Sequence, residues 1–89
     1  MKTEKEYKLF IKNPGNWRKV SETGIIRTYE LHYKNASIFR MDMLTDDGKW
    51  KRKYWYKITP AGNVIMRMPE CIRFLRAVDQ ATAEREETK

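Results

Sequence analysis

One cysteine, one histidine, four glycines and three prolines are all that this 89-residue chain holds of the residues that staple, ligate or break a fold. Cys71 by itself forms no internal disulfide, which fits a reducing compartment. His32, with no CxxC or HxxxH spacing around it, leaves a zinc site short of ligands, so neither metal nor cofactor is expected. The glycines form no phosphate-cradling loop. No apolar run approaches the roughly 18 residues a membrane span needs. The opening MKTEKEYKLFIK alternates charge and lacks the apolar stretch of a signal peptide. The expected location is cytoplasmic, or associated with a nucleoid or nucleus.

What is present is positive charge and aromatic side chains. Nineteen Lys and Arg against twelve Asp and Glu give a net charge of +7. Cations outnumber anions in residues 1–23 and 24–69 and fall just short of them in 70–89. The positive field therefore belongs to the segments read below as strands, and favours a polyanion or an acidic protein surface as partner. A chain this short is one domain with a marginal core, burying only about 60–65% of its unfolded surface. Self-association is the usual remedy once disulfides and metals are excluded, so a homodimer is expected.

Along the chain, YKLFIK (7–12) alternates as a short strand with Tyr7, Leu9 and Ile11 on one face. NPGN (13–16) is turn chemistry, and WRKVSETG (17–24) reads as a loop pinned to the core by Trp17 and Val20. GIIRTYELHY (24–33) and ASIFRMDML (36–44) are rich in β-branched and aromatic residues and read as strands joined at Lys34-Asn35. TDDG (45–48) is a hairpin loop leading into a strand over 49–59. PAGN (60–63) turns into VIMRM (64–68), a final strand. From Pro69 the period changes, and Cys71, Ile72, Phe74, Leu75 and Val78 mark one face of a helix to about Ala83. The predicted fold is α+β: an antiparallel meander of four to five strands followed by one C-terminal helix on one sheet face. It forms a single domain over 1–83, with a charged tail at 84–89 expected to fray.

The stretch KWKRKYWYK (49–57) carries the functional signal. Strand alternation puts Lys49, Lys51, Lys53, Trp55 and Lys57 on one face, and Trp50, Arg52, Tyr54 and Tyr56 on the other. Closing the hairpin at 45–48 sets Phe39 opposite Tyr54, Met41 opposite Arg52 and Met43 opposite Trp50, with Arg40 opposite Lys53 and Ile38 opposite Trp55. The Met/Phe/Tyr face is expected to be the core, covered by the helix, and the lysine face to be open. For the preceding hairpin, a two-residue turn puts Arg27, Tyr29 and Leu31 on the lysine face. A three-residue loop instead buries Ile25, Tyr29 and Leu31, and on that ground is favoured.

The predicted surface comprises Arg40, Lys49, Lys51, Lys53 and Lys57 around an exposed Trp55. Lysines hold phosphates without reading bases, and an exposed aromatic ring on a sheet can stack on an unpaired base. The combination suits single-stranded DNA or RNA better than a duplex, because no helix here presents base-reading side chains. The plainer reading is an edge strand whose lysines prevent aggregation.

Other candidates reduce to structure. No nucleophile is visibly placed near His32, so the protein is read as non-enzymatic. TDDG is a turn before it is a cation site. Cys71 lies on the apolar stripe and reads as a buried thiol. Met41, Met43, Met66 and Met68 read as core filler or a dimer seam. The order of elements, a meander closed by one helix, resembles the Whirly proteins, which bind single strands on sheet surfaces. The β-β-α ending is similar to the arm-binding domains of tyrosine integrases. Both resemblances lie in element order and transfer no residue. The function expected is a small nucleic-acid-binding protein; the alternative is an interaction module, of the phage-inhibitor or adaptor kind, docking on an acidic protein surface.

Overall fold

A computed structural model describes the backbone of residues 2–87, with side chains through Arg85. The elements are α1 (Glu4–Lys12), a 3-10 turn (Pro14–Asn16), β1 (Arg18–Thr23), β2 (Ile26–Tyr33), β3 (Ala36–Leu44), β4 (Trp50–Thr59), β5 (Gly62–Met66) and α2 (Met68–Glu87). The strands form one antiparallel sheet in the order β1-β2-β3-β4-β5. The fold is thus the expected α+β meander with a C-terminal helix, plus a short N-terminal helix. Met1, Thr88 and Lys89, the last two belonging to the expected tail, lie outside the described residues.

Residues 7–12 are helix, not strand. A capping box begins it: Thr3 Oγ1 accepts from the Glu6 amide at 3.2 Å, and the Thr3 amide donates to Glu6 Oε1 at 3.1 Å. Tyr7 and Ile11, one helical turn apart, are both fully buried, whereas Leu9, which made the segment look alternating, faces solvent. The chain then turns through Asn13–Asn16, and the Trp17 indole N–H donates to the Ile11 carbonyl at 2.7 Å, fastening the turn to the core. Residues 18–23, read as loop, form the edge strand β1. Every residue of it is exposed, so it carries no apolar alternation.

The core lies between one sheet face and the two helices. Leu31, Tyr33, Ile38, Trp55 and Met66 project from the sheet toward Tyr7, Ile11, Cys71, Ile72 and Leu75. Burying each such side chain contributes about 1.5–3 kcal/mol. Two local geometries decide which face this is, and both differ from the sequence reading. Tyr33 pairs with Ala36, so the β2–β3 turn has two residues and places Arg27, Tyr29 and Leu31 beside Arg40, Ile38 and Trp55. Lys34 takes the turn with φ at 56°, a left-handed conformation costly for a residue with a Cβ.

In the β3–β4 hairpin the loop spans 45–49, with Leu44 paired to Trp50. Arg52 faces Asp42 while Tyr54 faces Met41, so Lys53 is the extra residue of a bulge. The bulge flips Trp50 and Arg52 to the Trp55 side. Phe39 consequently faces Tyr56 rather than Tyr54. The outcome reverses the expected sides: the helices cover the Trp55 face, and the Phe39–Met41–Tyr54–Tyr56 face is the open one.

One buried polar knot joins the chain ends to the sheet. Asp79 on α2, 8% exposed, accepts from Tyr7 Oη at 2.5 Å and from Tyr33 Oη at 2.8 Å, and pairs with Lys34 Nζ at 2.6 Å. Burial pushes its carboxyl up, but the hydrogen bonds from Lys34, Tyr7 and Tyr33 outweigh that and hold it at about 2. Tyr7 is pushed up to about 12 by burial and by the adjacent Asp79 carboxylate.

Candidate nucleic-acid interface

The six residues singled out from sequence separate into two groups. Trp55 is 7% exposed, so it offers no stacking surface; the Arg52 guanidinium lies 3.8 Å from its ring centroid. Arg40 sits on the same covered face, donating to Asp42 at 3.1 Å and lying 4.4 Å from the Tyr29 ring. Lys57, also on that face, extends over Phe74 of α2 at 5.8 Å. Lys49, Lys51 and Lys53 remain exposed around the hairpin end of β4. Lys51 pairs with Met43 and so shares the open face. The sequence reading grouped Arg40, Trp55 and Lys57 on one face, as the register does, but gave the helix to the opposite face. Carrying alternation through the bulge put Lys51 with them and made that face look wholly cationic.

The open face carries aromatic side chains of its own. Phe39 on β3 and Tyr56 on β4 stack with centroids 5.4 Å apart and planes 22° apart, and Tyr54 meets Tyr56 edge-on at 5.8 Å. Such pairs order the rings at about 0.5–1.5 kcal/mol beyond area burial. None of the three belongs to the cluster under the helices, but the sheet itself buries Tyr56 to 9% exposure and leaves Phe39 and Tyr54 half-buried. Met41 and Met43 flank them half-buried, on the opposite side of the sheet from Met66, so the four methionines form no single cluster. Ile58 and Ile65 complete this face at 61% and 63% exposure.

A second feature adjoins it. The β4–β5 ladder ends at the Trp55–Met66 pair, leaving residues 50–54 of β4 with a free edge on that side. Beyond this edge lies a groove of about 570 Å³, floored by Trp55 and Met66 and lined by Lys8 and Lys12 of α1, Arg52, Lys53 and Arg67. Tyr54 and Ile65 form its margin toward the open face. No lining side chain is acidic, and none of these five cations makes an ion pair among the described residues. Sequence reading missed the groove because residues 7–12 were read as a strand, with nothing to bring Lys8 and Lys12 beside β4. Their spacing of four places them on one helical face.

The remaining candidates have structural partners. Ser37 Oγ donates to Glu30 Oε2 at 2.6 Å and contacts His32 Nδ1 at 3.2 Å, while Arg18 pairs with Glu30 at 3.0 Å. The serine proton points to the glutamate, so His32 is not placed to accept it. Hydrogen bonds from Ser37 and then Arg18 hold the Glu30 carboxyl below the usual range. In the hairpin loop the Thr45 hydroxyl donates to Asp47, and the Thr45 amide to the Lys49 carbonyl at 2.8 Å. TDDG is therefore closed by its own groups. Cys71 is fully buried, and burial pushes its thiol up to about 12, as an inert core cysteine requires. Among the described residues no group of three His, Cys, Asp or Glu side chains could hold a metal, and no helix is long and apolar enough to cross a membrane.

No family model matches this chain, and neither a curated protein nor a solved structure matches it.

Proposed function

We propose that this protein is a non-enzymatic binder of single-stranded nucleic acid, with bases taken on the open sheet face at Phe39 and Tyr54. The observation that supports the reading is the Phe39–Tyr56–Tyr54 ring cluster on a face neither helix covers, bordered by the unpaired lysines 51 and 53. The half-buried rings of Phe39 and Tyr54, propped by the buried Tyr56, keep part of their π-surface accessible to any base, and nearby lysines hold the backbone without sequence readout. The surface is a sheet with no protruding element, which suits bases splayed out of a stack rather than a duplex groove.

Fluorescence anisotropy of labelled oligothymidylate, an RNA of the same length and a duplex tests this. Single strands are expected to bind with affinity that falls steeply as salt rises. Tyr54→Ala is expected to weaken binding by about 1–3 kcal/mol, the stacking increment for one base. Circular dichroism checks that the variant is folded. Absence of single-strand binding by the wild-type protein at low salt would overturn the reading.

A second reading, docking on an acidic protein surface or on another copy of the chain, is favoured by the exposure of Ile58 and Ile65 on the same sheet face. It would gain if the protein sedimented as a dimer or formed a nuclease-resistant one-to-one complex.

A further inference from the structure

Resting on the single-strand reading above, we propose that the groove between α1 and the free edge of β4 is a phosphodiester channel. The strand's backbone passes over that edge at Lys53 and lies along Lys8, Lys12, Arg52 and Arg67 while its bases remain on the aromatic face. The site is thus two-sided. It joins the open sheet face to the helix-bearing side of the molecule through the gap left where β5 ends.

Three observations converge on phosphate. The first is charge segregation: five cations line one concavity with no carboxylate among them, although the chain holds twelve acidic residues. Elsewhere arginines and lysines pair with acids, as Arg18 does with Glu30, Arg27 and Lys19 with Glu22, and Arg40 with Asp42. The second is placement against local preference. Like charges four apart on a helix repel, and Lys8 and Lys12 form such a pair on α1, offset in part by Glu4 one turn before Lys8 and by the helix dipole at Lys12. A ligand that neutralises both relieves that repulsion. The third is continuity: Tyr54 and Ile65 line this groove and also belong to, or border, the aromatic face, so one chain can touch both without leaving the surface.

The geometry also states which anion. A strand edge free over residues 50–54 admits an extended chain, and the cations lining the groove come from three separate elements, α1, β4 and the segment after β5. That arrangement suits successive phosphates of a polymer more than a single phosphate. Three of the five are lysines, acting as point charges on backbone oxygens; none of this requires base identity.

The test is a salt series on oligothymidylate with three proteins: wild type, the double variant Lys8→Glu/Lys12→Glu, and Tyr54→Ala. Both lysines are exposed, so charge reversal leaves the core untouched. The double variant is expected to lose about tenfold or more in affinity at low salt, and its log–log salt slope should flatten by about 1.4, the loss of two phosphate contacts to a single strand. An unchanged affinity and slope in the double variant, with Tyr54→Ala still weakened, would overturn the channel and leave the aromatic reading standing. Loss in the double variant with no effect of Tyr54→Ala would keep the channel and remove the platform. Wild-type protein that binds no oligonucleotide would end both. Equal binding of wild type to anionic lipid vesicles or to an acidic polypeptide, lost in the same double variant, would overturn the assignment to nucleic acid.

Discussion

The two faces of the sheet are built from the same kinds of residue and meet different fates. One presents Leu31, Tyr33, Ile38, Trp55 and Met66, and both helices lie on it. The other presents Phe39, Met41, Tyr54, Tyr56 and Ile65, and among the described residues neither helix packs on it, although Tyr56 is buried between its neighbours. Hydrophobicity does not separate them. What does is where the chain leaves the sheet: α1 enters ahead of Trp17 and α2 departs after Met66, both on the Trp55 side. The polar chemistry follows the same division. On the covered side arginines lie over rings, as Arg27 over Trp50 and Arg52 over Trp55, and a buried carboxylate is fully hydrogen-bonded. On the open side the exposed Lys51 and the bulged Lys53 border the aromatic cluster. A residue's type therefore proposes its role, and the covering elements decide it.

The sharpest way to break the contrast is at the centre of the covered face. Leu31→Ala removes a fully buried side chain and is expected to cost about 2–5 kcal/mol in a urea titration. A loss under about 1 kcal/mol would mean that the core is not where the helices place it.

Next comes the polar knot that fastens the helices. Asp79 has its folded-state carboxyl depressed from 3.8 to about 2. Its contribution is therefore fully present above pH 3.8 and is lost as pH falls through about 2, on the order of 2 kcal/mol. Tyr7 is raised from 10.0 to about 12, so its contribution is complete below pH 10 and is lost as pH rises through about 12. Thermal melts across this range should show stability falling at both ends. Tyr7→Phe should shrink the alkaline fall and, by removing one donor, bring the acid fall to a higher pH. A variant whose two limbs matched wild type would dissolve the link between Tyr7 and Asp79.

The smallest effect belongs to the open face. Ile65→Ser, at a position 63% exposed, is expected to change stability by no more than about 0.5 kcal/mol. A cost well above that, dependent on protein concentration, would show that this face is covered by another copy in solution.

Much of this contrast was legible in the residues, and the part that was not has identifiable causes. The strands over 24–59 and the helix after Pro69 were readable because β-branched and aromatic runs give way to a stripe at helical spacing, and Cys71, Ile72 and Leu75 are indeed buried. The N-terminal helix was missed although Thr3 and Glu6 spell a capping box, because Leu9 made the segment mimic alternation. β1 was missed because a fully exposed strand has no apolar period to read. The helix was assigned to the wrong face because a single extra residue at Lys53 moves Lys51 away from Trp55 and brings Trp50 and Arg52 to it. The face read as a lysine row is therefore not one, and a bulge leaves no mark in composition. The two-residue turn was passed over because it asks Lys34 to adopt φ 56°, and the partner that meets its ammonium there, Asp79, lies far along the chain.

That long separation has a consequence during synthesis. Tyr7 and Asp79 stand 72 positions apart, so α1 is synthesised well before the carboxylate that accepts its hydrogen bond. At about 5–20 residues per second, α1 waits on the order of 4–14 seconds with the side chains of Tyr7 and Ile11 lacking the helix that will bury them. Its capping box, entirely local to residues 3–6, is available throughout that interval and can hold the first turn in readiness.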